Sequence, residues 1–115
     1  MRVGQPSARR ARAAREPRTA RLRSLAMSVV DNAAESRFEL EEAGETAYAD
    51  YRREGGRLVI PYVYAPPALR GSGAAGRVME GVVAAARAEG LTIRPLCGYA
   101  AAWLKRHREH ADLVA

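Results

Sequence analysis

From residue 69 to residue 76 the chain reads Leu-Arg-Gly-Ser-Gly-Ala-Ala-Gly. Gly71 and Gly73 fall where a strand gives way to a helix, so bare backbone can approach a ligand closely there. The N–H groups in the first turn of that helix have no intrahelical partners. With the helix dipole they make an anion site suited to a pyrophosphate. No Lys-Ser or Lys-Thr follows, so this is not a nucleotide P-loop. The strands upstream form a meander instead of opening a βαβ unit, so it is not a dinucleotide fingerprint either. A Gly-rich turn with no ligand is the competing reading.

Other reactive side chains are few. Cys97 is the single cysteine, which excludes an internal disulfide and a thiolate-only zinc site. It reads either as a small packed residue or as a thiol at a strand end before a helix start, where thiolates are favoured. His107 and His110 stand three apart, with Asp112 close behind, but no further His or Cys pair completes a ligand set. No metal site is expected. Tyr99, Trp103 and His107 recur at four-residue spacing on one helix face, with Trp103 as its packing anchor.

The elements that must position these residues follow from periodicity. Ser28–Asn32 reads as a short strand. Arg37–Glu41 and Thr46–Arg52 alternate polar and apolar side chains, the mark of half-buried strands. Ala47, Ala49 and Tyr51 share one face of the latter, with Tyr48 and Asp50 on the other. Turns fall at Ala43-Gly44-Glu45 and Gly55-Gly56. Arg57–Ala65 is nearly continuous apolar sequence, which predicts a strand covered on both faces. Pro61 inside it removes a ladder N–H and predicts a bulge or an unpaired side. The period then changes: Val78, Met79, Val82, Val83 and Ala86 make the apolar stripe of a helix over 74–89, stopped by Gly90. Leu91–Leu96 is a fifth strand, and a second helix runs from about Gly98 to His107. A strand–helix–strand crossover makes the fourth and fifth strands parallel neighbours.

With 115 residues and 48% hydrophobic composition, one globular domain is expected and a two-domain enzyme is not. The net charge of +6 is unevenly placed. Residues 1–26 hold eight arginines and only Glu16 as an acid, while residues 27–115 hold 11 bases and 12 acids. The first segment has almost no large apolar residues and contains Pro6 and Pro17, so it is expected to be a disordered extension. The domain is expected over 27–115, with Met27 directly before the first patterned residues. A nucleic-acid arm and a transit signal are the other readings of the Arg-rich stretch. Deleting residues 1–26 is expected to leave folding and turnover intact. No apolar run reaches the roughly 20 residues of a spanning helix, which predicts a soluble product without a membrane partner.

The Gly-rich junction, with its order of elements, resembles the GNAT superfamily of acyl-CoA-dependent N-acetyltransferases. The superfamily signature Arg/Gln-x-x-Gly-x-Gly/Ala is matched by Arg70, Gly73 and Ala75. The chain is most similar to the short YjdJ-type branch, through Leu69-Arg70-Gly71-Ser72-Gly73, Pro95-Leu96-Cys97-Gly98-Tyr99 and the closing stretch Lys105–Asp112. Where many members carry an acidic residue before the Gly turn, this chain has Tyr64; where a Pro commonly follows the cysteine, it has Gly98. The resemblance implies a compact α+β fold: a four-stranded antiparallel meander, then helix–strand–helix, with a parallel and splayed pair of strands four and five.

It also implies acetyl-CoA as co-substrate and a small cytoplasmic N-acetyltransferase, monomeric or weakly dimeric, that transfers to a primary amine by direct attack in a ternary complex. The backbone of Gly71, Ser72, Gly73, Ala74, Ala75 and Gly76 would then hold the pyrophosphate, with Arg70, Arg77 and Arg106 as phosphate partners. The thioester would lie near Val63, Tyr64 and Cys97. Glu39, Glu41 and Tyr64 are the candidates for a base, solvated strand carboxylates being the plainer reading of the first two. Tyr99 would protonate the leaving thiolate or simply pack, and Cys97 would carry the acyl group, line the channel or pack. The acceptor is not named by the sequence, although a protein or peptide amine fits so small a domain slightly better. Two other classes compete: a non-catalytic acyl-CoA-binding module, and a nucleic-acid-binding accessory protein acting through the Arg-rich segment.

Overall fold

The computed structural model describes residues 29–115, so the expectations for residues 1–26 lie outside the described residues. Five strands form one sheet in sequential order: β1 (Val29–Asn32), β2 (Arg37–Glu42), β3 (Glu45–Glu54), β4 (Arg57–Tyr64) and β5 (Thr92–Pro95). The first four pair antiparallel and β5 pairs parallel to β4. The long helix α1 (Ala74–Glu89) connects β4 to β5, and α2 (Gly98–Arg106) follows β5. This is the α+β architecture expected from the sequence.

Alternation decides the layers. Phe38 and Leu40 of β2 lie opposite Ala49 and Ala47 of β3, and all four are buried. Together with Tyr51, Leu58, Ile60 and Ile93 they meet Val78, Met79, Val82, Val83 and Ala86 of α1 in one core. Ala100, Trp103 and Leu104 of α2 join the same core. Trp103 is clamped by its own C-terminal turn: the His107 ring stacks on it at 3.9 Å, and His107 Nδ1–H donates to the Trp103 carbonyl at 2.8 Å. Small residues allow the closest approach. Where β1 crosses α1, a methyl on Gly81 would stand 2.6 Å from Val29 Cγ1.

The element boundaries differ from the sequence reading in instructive ways. The β3 strand runs two residues further than its alternation showed, because the tight Gly55-Gly56 turn keeps Arg53↔Leu58 and Glu54↔Arg57 in register. The β5 strand is shorter at both ends. Leu91 N–H donates back to Ala86 of the helix, and Leu96 turns away after donating to Ile60. The expectation that strand four is covered on both faces needs correction. Leu58, Val59 and Ile60 are buried, but beyond Pro61 the strand is open and Tyr62 is 48% exposed. Two features were not anticipated: a 3-10 turn over Arg108–Leu113, and a parallel bridge from Val114 to Ile93 that extends the sheet.

Candidate active site

Pro61 marks the place where the sheet opens. Asp50 pairs with Tyr62 and Arg52 with Val59, so Tyr51 alone faces Ile60 and Pro61 across a β-bulge. On the other side of β4 the ladder to β5 ends at Ile60↔Pro95. Leu96 and Cys97 N–H both donate to the Ile60 carbonyl, at 2.9 and 3.2 Å, and the chain then leaves into α2. From Pro61 to Tyr64 the edge of β4 has no strand partner among the described residues. The Ile60 carbonyl points to β5, so the N–H that Pro61 lacks falls on the β3 side, where the bulge accommodates it. The β4–β5 ladder ends because the chain leaves β5 after Leu96 and Cys97.

The opened edge leads to the start of α1. A 3-10 turn over Pro67–Leu69 brings the chain round, and Arg70 Nε–H fixes it by donating to the Ala65 carbonyl at 2.9 Å. Gly71 and Gly73 follow with φ of +84° and +88°, backbone that residues with a Cβ rarely adopt. Ser72 closes the turn: its Oγ donates to the Leu69 carbonyl at 2.6 Å and accepts from Ala74 N–H at 3.3 Å. The amides of Gly71, Gly73, Ala75 and Gly76 find no acceptor among the described residues. Unpaired amides at a helix mouth, carrying the helix's positive end, are what a pyrophosphate requires.

A single cavity of about 500 Å³ joins the two features. Its walls are the open end of β4 with Tyr62, Val63, Tyr64 and Ala65, then Leu69 to Gly76 without Ser72, and Tyr99 from α2. Tyr99 reaches toward α1, its hydroxyl about 3.8 Å from where a Gly76 Cβ would lie. Burial pushes the Tyr99 phenol up, with Arg106 pulling it down and Cys97 adding a smaller push upward, so it holds its proton at neutral pH.

A sequence model of the family described as GCN5-related N-acetyl-transferase matches residues 37–113. The chain belongs to that family. No curated protein gave a sequence match. Among solved structures it is similar to the NMR solution structure of a GCN5-like candidate N-acetyltransferase from Staphylococcus aureus. That likeness has a TM-score of 0.58 and 20% identity, and covers 78% of this chain and 89% of the other. At that identity it speaks to the fold.

Within this family member the residues singled out from sequence part into two groups. Val63, Tyr64, Arg70, Gly71, Gly73, Ala74, Ala75, Gly76 and Tyr99 converge on the cavity. Ser72, Arg77, Cys97 and Arg106 do not line it. Ser72 is the staple of the turn. Arg77 makes a two-pronged ion pair with Glu42 at 2.6 and 2.8 Å and donates to the Ser72 carbonyl, so it ties α1 to β2. Its guanidinium is held still more firmly protonated by that carboxylate. Cys97 is half-buried at the start of α2 and packs against the core. Arg106 is exposed at the end of α2, two turns from Tyr99.

Of the candidate bases, Glu39 is committed elsewhere. Arg37 donates to it at 2.7 Å and Asn32 at 3.1 Å, and the Arg37 bond holds its carboxyl below the usual range. Sequence reasoning missed Tyr62, Ala65 and Leu69 as wall residues. The available signal for Tyr62 was its place two residues from Tyr64, hence on the same face of the strand. Among the described residues no group of three His, Cys, Asp or Glu side chains could hold a metal ion, and Asp112 is engaged by Arg87. Also among them, no helix is long and apolar enough to cross a membrane.

Proposed function

We propose that the chain transfers an acetyl group from acetyl-CoA to a primary amine by direct attack in a ternary complex, as a cytoplasmic enzyme. One observation carries this reading: a continuous cavity runs from the unpaired amides of the α1 mouth to the unpaired edge of β4. The donor set fits a diphosphate, since four amides lack acceptors and a side chain on Gly71 or Gly73 would be strained. Arg70 at the wall and Arg106 beyond it add cationic partners for phosphate. Acetyl-CoA supplies an acyl group activated as a thioester.

The chain's own groups do the remainder. Backbone N–H groups on the free edge of β4 near Val63 and Tyr64 polarise the acyl carbonyl. The Tyr99 phenol, protonated at neutral pH and pushed further up by burial, donates a proton to the departing thiolate. An attacking amine must first lose its own proton, since an alkylamine is mostly charged at pH 7. Tyr64, at the wall and half-exposed, stands where a proton can leave to solvent. Cys97 lies off the cavity wall, and direct attack requires no thiol nucleophile, so its contribution in this reading is to pack the end of β5.

The test is calorimetric titration of coenzyme A against the wild type and against Gly71→Val and Gly73→Val. Each variant is expected to weaken binding at least tenfold, with circular dichroism establishing that the fold survives. Saturable binding with thiol release in a broad amine screen supports transfer. Binding without release favours an acyl-CoA-binding module, and no binding by the wild type overturns the proposal.

A further inference from the structure

The face of the sheet opposite the helices carries a second set of aligned side chains. Alternation places Arg37 and Glu39 of β2, Tyr48 and Asp50 of β3, and Tyr62 and Tyr64 of β4 together on it. Register orders them into two adjoining rows, Glu39–Tyr48–Tyr64 and Arg37–Asp50–Tyr62. The three tyrosine rings form one cluster, with centroids 5.3 Å apart for Tyr48 and Tyr64, 6.3 Å for Tyr48 and Tyr62, and 6.4 Å for Tyr62 and Tyr64. Three exposed or half-exposed aromatics on one flat surface exceed what a solvated sheet face needs.

Two details state the charge this surface accepts. The Arg37 guanidinium lies over the Tyr48 ring at 4.3 Å, so the cluster already takes one cation from its own chain. Arg37 is matched by Glu39, whereas Asp50, in line with Tyr62, has no cationic partner among the described residues. The group Arg37, Glu39 and Asp50 therefore carries one uncompensated negative charge beside π faces that attract cations. Tyr62 and Tyr64 also line the cavity below the open edge of β4. The aromatic face and the cavity are thus two sides of the same opening.

We propose that Tyr48, Tyr62, Tyr64 and Asp50 form the acceptor platform of the site, and that its occupant is a flexible alkylammonium cation. Such a group lays its methylenes on the rings and its charge over the π faces near Asp50, reaching the free edge of β4 from the side opposite α1. Arylamines, uncharged at neutral pH, and amines that also carry carboxylates, which Asp50 repels, are poor occupants. The inference rests on the transfer reading for its meaning, but the surface binds its cation without acetyl-CoA.

The probe is choline, a quaternary ammonium that cannot be N-acetylated, with 3,3-dimethylbutan-1-ol as its uncharged counterpart of the same shape. Both are titrated at constant ionic strength into the ¹⁵N-labelled full chain with no coenzyme A present. Choline is expected to move amides of the Tyr48–Asp50 and Tyr62–Tyr64 segments and to bind at least fivefold tighter than the alcohol. Asp50→Asn and Tyr62→Leu, both changes at accessible side chains, are each expected to weaken it about fivefold. Equal binding of the two probes, no binding, shifts confined to other segments, or unchanged affinity in both variants would overturn the platform. The coenzyme A titration judges the transfer reading separately, so the two can fail independently.

Discussion

Tyr99 shows how a single side chain acquires a chemical role from its surroundings. Its hydroxyl faces the α1 mouth across Gly76, and burial raises its pKa, which is why the proposed reaction gives it the proton for the leaving thiolate. Tyr99→Phe is expected to lower kcat about 100-fold in a thiol-release assay, with a much smaller change in coenzyme A affinity. An unchanged kcat would move the proton donor elsewhere. Tyr99 could be singled out from the primary structure because a short motif contains it, and Tyr64 because it stands where many relatives carry an acidic residue. Tyr62 carried only the weaker signal of standing two residues from Tyr64, and the bulge at Ile60-Pro61 is what sets it opposite Asp50 on the open half of the strand. Arg77 illustrates what the sequence does not carry. Its place one turn into the helix suggests a phosphate partner, and the structure shows that Glu42, 35 residues earlier, also comes within 2.6 Å of it.

At the scale of elements, the site depends on β4 being two strands in one. Its first half is packed on both faces and paired with β5, and its second half is free on the β5 side. Pro61 in the sequence marked the level of the division, since it removes one ladder N–H and favours a bulge. Which ladder breaks, and that β5 departs at the same level, depends on where Leu96 and Cys97 find their acceptor. The α1 helix must sit close under the meander to aim its mouth at this opening, and Gly81 sets that distance at β1. Gly81→Ala would put a methyl within 2.7 Å of the Val29 Cβ and force β1 outward. We expect a loss of about 1–3 kcal/mol in urea unfolding. A gain, as expected for Gly→Ala in an unhindered helix, would show that β1 yields freely.

Over the whole molecule, exposed ion pairs join segments far apart in the chain. Arg53 of β3 holds Glu89 at the end of α1, and Arg87 holds Asp112 in the closing turn. Hydrogen bonds from those arginines lower both carboxyls below their usual values. A depressed carboxyl contributes stability above its unfolded pKa of about 4 and loses it as pH falls through the lower folded value. The midpoint of thermal unfolding is therefore expected to be flat from pH 7 to 5 and to fall below about pH 4.3. Glu89→Gln should cost about 0.5 kcal/mol at pH 7 and progressively less as pH falls through the carboxyl's lowered folded value. A gap of the same size at both ends would assign the loss to packing.

The amino-acid sequence alone determined the kinds of elements and their order, because alternation, helical spacing and glycine placement act over a few neighbouring residues. It also disclosed the Gly71–Gly76 mouth, whose chemistry is backbone chemistry and belongs to a contiguous stretch. Tertiary structure alone decided that Tyr48 stands beside Tyr62 and Tyr64, that Arg77 pairs with Glu42, and that β4 ends unpaired beside that mouth. Those facts turn on register and on which distant group arrives first, and neither is carried by local periodicity.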